Sequence, residues 1–278
     1  MVVICLHFLI APLIAIIPIS FSVSPFMVFT DEMLTWPPDP DAWSLRWYKN
    51  MVGNCSADVV SSTVPCSNKW MIGTVNSFFI GFIATFIATT LGTLAALGLS
   101  RPHMPYKGLI MAILISPMIV PLIITAAGMF FFYARINLVY SFTGIILAHV
   151  ALATPFVVIT VTATLVGFDM NMVKASQSLG ARPVRTFFKV IMPLILPGVI
   201  SGALFAFITS FDEVVIVMFM ASLDQLTIPK QMWAGIRQEI SPVILCMATC
   251  LVVLSILLLT TVELLRRRSE KLRGIKSR

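Results

Sequence analysis

The chain has 278 residues, of which 58% are hydrophobic and 11% charged, and its mean hydropathy is +0.97. Soluble domains carry roughly a quarter charged residues, so this composition excludes an ordinary water-soluble globule and points to lipid as the solvent. The net charge of +7 does not indicate nucleic acid, because seven of the nineteen Lys and Arg fall between Arg266 and Arg278, a basic tail suited to anionic headgroups at a membrane surface.

Six apolar stretches follow one another at 2–22, 72–99, 108–133, 143–166, 194–221 and 242–265. Each is long enough for a helix crossing a hydrocarbon core of about 30 Å. The expectation is an all-α membrane protein, residues 1–278 forming a single transmembrane domain of six helices. The first stretch is too long for the apolar region of a signal peptide and follows no basic segment. It reads as a retained helix, and its abrupt start predicts a short basic leader ahead of it. Cys5, Cys246 and Cys250 fall in apolar runs and are expected to pack as small hydrophobes.

The second stretch carries Ala84, Ala88, Gly92 and Ala96 at i, i+4 spacing. Such a stripe lets another backbone come close in lipid. Pro117 and Pro121 interrupt the third stretch and Pro155 the fourth. Each removes a backbone hydrogen bond and predicts a kink, either as bundle packing or as a bent wall around a path that opens. Phe130, Phe131, Phe132 and Tyr133 end the third stretch as an interfacial aromatic belt. Tyr133 also offers a ring face to a cation on the path. His149 and His7 have no His, Cys or carboxylate at i±3 or i±4, so they read as hydrogen-bonded interior residues, and no metal site is expected. The fifth stretch repeats the small-residue device with Gly198, Gly202 and Ala206.

Cation placement orients the chain. Arg101 and Lys107, then Lys174, Arg182, Arg185 and Lys189, then the basic tail, all fall on one side. The other side holds only Arg46, Lys49, Lys69, Arg135, Lys230 and Arg237. The positive-inside rule therefore predicts that 100–107, 167–193 and 266–278, with both termini, are cytoplasmic. The loop 25–69 is then periplasmic.

The cytoplasmic segment 168–193 is too patterned for a simple connector. Met172 to Leu179 reads as a short helix, and Gly180 suits the left-handed residue that ends one. Arg182-Pro183 restarts the chain, and Phe187, Phe188, Val190 and Ile191 give a second short apolar helix ahead of Pro193 and Pro197. Ala175, Ser176 and Ser178 offer a small-residue surface; an amphipathic helix lying on the membrane is the alternative. The segment resembles the EAA signature of ABC importer permeases: Glu-Ala-Ala, three residues, Gly, nine residues, Ile-x-Leu-Pro. The matching residues are Lys174, Ala175, Ser176, Gly180, Val190, Met192 and Pro193, with Lys174 in place of Glu and Ser176 in place of Ala. The resemblance implies a type I ABC importer permease fold whose coupling helix, at Lys174, Ala175, Ser176, Ser178, Leu179 and Gly180, fits a groove on a separate ATPase. No G-x-x-x-x-G-K-[ST] loop occurs in the chain, so it supplies no ATP site and no catalysis of its own. No cofactor is expected on this chain; ATP and Mg belong to the ATPase. The implied partners are two ATPase copies, a second, related permease, a periplasmic solute-binding protein and membrane lipid, with no nucleic acid. The implied location is a bacterial inner membrane.

The fifth stretch also contains Ser210, Phe211, Asp212 and Glu213. A carboxylate at membrane depth costs about 2.5–3.5 kcal/mol or more and normally faces a cavity. On one helix, neighbours point about 100° apart, so one carboxylate can face a path and the other a neighbouring helix. The alternative is a gate closed by hydrogen bonds. Residues 210–215, with 231–242, resemble the spermidine/putrescine permease group, its C-type subunit, and the likeness extends over most of 70–268. Import of a polyamine is what that resemblance implies. Related permeases with similar motifs carry opines, aminophosphonates or ferric iron. A proton-coupled secondary carrier using Asp212 or Glu213 would leave the coupling segment unexplained, and no inverted repeat supports it. An intramembrane enzyme lacks a Ser–His or His-Glu-x-x-His constellation.

Cys55 and Cys66 share the Ser- and Asn-rich loop 25–69. On the oxidising periplasmic side they are expected to form a disulfide rather than two free thiols. Non-reducing peptide mapping should return them cross-linked; alkylation of both without reductant excludes the bridge.

Overall fold

Without water to hydrogen-bond it, a backbone in lipid has to satisfy its own N–H and C=O groups. The described chain does this with helices, apart from one isolated antiparallel bridge between Ser22 and Trp43. The computed structural model describes all residues except Met1, 37–38, 54–67, Pro102, 167–168, Met170, 239–240 and 273–278, with backbone alone for 2–7, 9, 238, 258–259 and 261–272. Cys55 and Cys66 lie outside the described residues, as do the side chains of Cys5 and His7.

The helices are α1 (Val2–Ile19), α2 (Asp31–Leu34), α3 (Arg46–Met51), α4 (Lys69–Leu99), α5 (Lys107–Ile119), α6 (Leu122–Arg135), α7 (Phe142–Val166) and α8 (Asn171–Ser178). They continue with α9 (Pro183–Phe211), α10 (Val215–Met220), α11 (Ile228–Gln238) and α12 (Val243–Leu272). Three of them, α4, α7 and α9, are each long and apolar enough to cross a membrane, and α5 with α6 makes a bent fourth. Shorter apolar stretches, Ile10–Ile19 and Val243–Leu257, lie in α1 and α12.

Contacts divide the chain into two units. The first joins residues 1–71 and 232–278, with α1 and α3 both packed on α12. Trp47 is fully buried there, and its indole N–H donates to the Ser22 carbonyl at 3.0 Å. The Ser20 and Tyr48 hydroxyls share a 2.7 Å hydrogen bond. Cys246 donates its thiol proton to the Ser20 carbonyl at 3.3 Å. Polar ends on apolar rings thus tie the end of α1 to the loop that follows it.

The second unit, 72–231, is organised around α7, whose Ile145, Ala148, Val157 and Val161 are fully buried. A Cβ on Gly92 of α4 would sit 2.6 Å from Val157 Cβ. A Cβ on Gly202 of α9 would sit 3.0 Å from Val157 Cα, and one on Gly198 would collide with Thr164. Both small-residue stripes therefore close on the same helix, the close backbone approach that drives association in lipid.

Prolines shape the remaining spans in three ways. Between α5 and α6 the chain turns by 102°; Val120, before Pro121, is extended, as the proline ring requires of its predecessor. By contrast, α7 runs unbroken through Pro155, with the Thr154 hydroxyl bonded to the Val150 carbonyl at 2.6 Å. In α9, residues Phe187–Ile191 form a π-helical turn, and the Met192 N–H reaches back to the Phe187 carbonyl. That widened turn lies just ahead of Pro193, where a normal helix would meet the proline ring. The second short helix expected before Pro193 is therefore the beginning of the span itself.

The fifth apolar stretch also departs from the expectation of one helix to residue 221. It ends at Phe211, and the chain resumes as α10 at Val215.

Two glycines should respond to substitution for different reasons. Gly202→Ala should lower the thermal midpoint of the purified chain by overpacking α7 against α9, a cost of about 1–3 kcal/mol. Gly128→Ala, where a Cβ meets nothing within 4 Å, should not. Gly180 also has open space around it but a φ of +82°. Gly180→Val should cost about 1–2 kcal/mol of backbone strain, and Gly180→Asn less. Equal midpoints for the two Gly180 variants would show that its conformation is not the constraint.

Candidate coupling surface and translocation site

The first site is the turn between α7 and α9. Asp169 starts α8, its Oδ1 accepting the Asn171 N–H at 2.9 Å. At the other end, the Gly180 N–H donates to the Gln177 carbonyl at 2.9 Å and the Ala181 N–H to the Ser176 carbonyl at 3.1 Å. With Gly180 left-handed, this is the paired closure that satisfies the last carbonyls of a helix. Arg182 is extended, and Pro183 opens α9.

Ser176 has a role that the sequence did not reveal. Its hydroxyl donates to the Val173 carbonyl at 2.8 Å and shares a 3.0 Å hydrogen bond with the Thr186 hydroxyl. It ties α8 to the buried Thr186 in the first turn of α9. Behind α8 is a cavity of about 300 Å³ lined by Leu97, Arg101, Leu165, Gln177, Thr186 and Phe187 among others. The opposite face is open: Lys174, Ala175, Ser178, Leu179 and Gly180 are all exposed, Leu179 at 88%.

The second site is the break after α9. Ser210 is buried, and its hydroxyl lies 2.8 Å from His149 Nδ1. His149 is thus an interior hydrogen-bonded residue joining α7 to the end of α9. Phe211 stacks on Phe207 at 5.4 Å and leans on Phe78 at 5.2 Å. Asp212 closes α9 through its N–H to Ile208, and its side chain is exposed. Glu213 is buried, and its Oε1 accepts the Ile216 N–H at 2.8 Å, in the first turn of α10. The two carboxylates therefore differ in kind: Glu213 caps a helix, and Asp212 is open. Tyr133 is half-buried beside Phe132. Among the described residues, no hydrogen bond or ring contact joins Tyr133 to Phe211, Asp212 or Glu213.

Sequence reading passed over Asn76 and Ser77. The Asn76 amide donates to the carbonyls of Asp224 and Leu226, and the Ser77 hydroxyl accepts the Ile228 N–H at 2.8 Å. They stitch the segment after α10 onto α4. Their only signal was two adjacent polar groups in an apolar run. Nearby, Lys230 Nζ donates to the Ala221 carbonyl at 2.9 Å, and burial holds its ammonium below the usual lysine value.

Comparison with known proteins identifies the family and the fold. Residues 88–271 match the family described as binding-protein-dependent transport system inner membrane component. The spermidine/putrescine transport system permease protein PotC of Haemophilus influenzae is 29% identical, covering 82% of this chain and 83% of that protein. PotC of Escherichia coli K12 is 28% identical over 95% and 91%, and the putrescine permease PotI of the same strain is 28% identical over 87% and 80%. In structure, a bacterial ABC transporter involved in import of the acidic polysaccharide alginate superposes with a TM-score of 0.69 at 15% identity, covering 96% of this chain and 92% of that one. The fold is that of a type I ABC importer permease, and the chain belongs to the family of binding-protein-dependent transport system inner membrane components.

Proposed function

We propose that this chain is the permease through which an ABC importer moves a polyamine of the spermidine/putrescine class from periplasm to cytoplasm. The observation that carries the cargo is the exposed carboxylate of Asp212 at the end of α9, in a chain similar to three polyamine permeases. No Lys or Arg falls within the six apolar stretches, so a charge there is left for a cationic solute. The chain crosses the inner membrane six times with both termini cytoplasmic, the orientation that its cations favour. Two copies of a separate ATPase hydrolyse Mg-ATP, and α8 receives their motion. A second, related permease completes the path, and a periplasmic binding protein delivers the solute.

Calorimetry on the cognate solute-binding protein tests the cargo: it should bind spermidine or putrescine, and indifference to both would remove the polyamine reading while leaving the permease in place. In reconstituted vesicles, Asp212→Asn should lower polyamine uptake roughly tenfold, equivalent to about 1.4 kcal/mol. Glu213→Gln should transport nearly normally, because its amide oxygen still accepts the Ile216 N–H. Glu213→Ala should destabilise the chain by about 1–3 kcal/mol through the unmade buried hydrogen bond. Identical uptake losses for Asp212→Asn and Glu213→Gln would contradict this division of roles.

A further inference from the structure

The outer face of α8 is chemically two-sided. Residues on a helix are about 100° apart. Val173, Ser176 and Gln177 lie on the side of the cavity and of Thr186, Gln177 at its exposed edge. That leaves Ala175 and Ser178 at the middle of the outer face. Lys174 flanks them on one side, and Met172 and Leu179 on the other; all five are exposed. The middle is small enough for close approach, one flank is apolar and the other is cationic.

The charge has no counterpart among the described residues. Among the described residues no carboxylate pairs with Lys174, Arg182 or Arg185, all of them exposed. The nearest acid in sequence, Asp169, is committed to the Asn171 N–H at the start of α8. Docking a surface against this face removes water from Lys174, and an ammonium desolvated without a partner is costly. A signature with Glu at this position would ask for a cation opposite; Lys174 asks for an anion.

We infer that the ATPase groove receiving α8 carries a carboxylate opposite Lys174 and an apolar wall opposite Met172 and Leu179. This rests on the permease reading above and specifies the partner's chemistry at that contact. The pair selects the cognate ATPase, because a groove built for Glu would place like charges together.

The test uses the full transporter reconstituted with its own ATPase and partner permease. Lys174→Glu should reduce ATP-driven uptake about tenfold, as expected when one member of an interfacial charge pair is reversed, while Lys174→Arg retains it. Reversing one acidic residue of the groove to Lys should restore coupling to the Lys174→Glu transporter. Membrane yield of each variant, unchanged because Lys174 is exposed, separates coupling from folding. Normal uptake by Lys174→Glu overturns the inference, as does a loss that no groove reversal rescues. A loss that vanishes in vesicles of zwitterionic phosphatidylcholine overturns it too, since the contact is then with anionic headgroups. A wild-type chain that never retains an ATPase overturns both this inference and the permease reading.

Discussion

Val157, midway along α7, stands between two glycine faces: Gly92 of α4 on one side and Gly202 of α9 on the other. Lipid gives helices no hydrophobic reason to associate, so contact at this range has to come from backbones that can approach closely. A methyl group at either glycine would push into Val157, whose own backbone cannot move without moving α7. Thr160 and Thr164 extend the contact along Gly202 and Gly198. Their hydroxyls are also satisfied within α7, by the carbonyls of Phe156 and Thr160. At Thr160 and Thr164 close packing is thus achieved without stranding the hydroxyls that line the contact.

That clamp makes α9 a rod with a distinct chemical event at each end. The helix runs 29 residues, Pro183–Phe211, roughly 40 Å at the α-helical rise. Its first turn is hydrogen-bonded to α8 through Ser176 and Thr186. Its last turn is held to α7 through Ser210 and His149, and Asp212 follows immediately. Under the proposed function, displacement of α8 by an ATPase enters α9 directly and reaches the carboxylate without passing through a loop. The π-helical turn at Phe187–Ile191 is the irregular part of that rod, where a wider turn accommodates Pro193.

Much of this was legible in the sequence where one residue type has one physical use. Gly180 could be read as the left-handed end of α8 because few other residues suit it. The stripes at Ala84–Ala96 and Gly198–Ala206 announced close packing, but not that both would meet on α7, since a stripe names no partner. Prolines were less informative. Pro121 breaks the chain, Pro155 is carried within a continuous helix, and Pro193 is absorbed by a widened turn. The difference lies in how neighbouring backbone groups are satisfied, which no local pattern encodes. Asn76 and Ser77 escaped notice because their partners lie about 150 positions away in the chain.

The adjacent carboxylates show why location alone does not assign a role. A carboxylate at membrane depth costs about 2.5–3.5 kcal/mol. For Glu213 the bond from the Ile216 N–H offsets part of that cost, and the positive end of α10 adds to it. Asp212 has no such return from any described side chain or helix start, so its charge depends on water or on a cation passing by. The two are nonetheless linked. The break after α9 leaves α10 with unsatisfied N–H groups, and Glu213 answers one of them. With the break held open in this way, Asp212 closes α9 instead of lying within a continuous helix. One carboxylate thus maintains the interruption that leaves the other exposed.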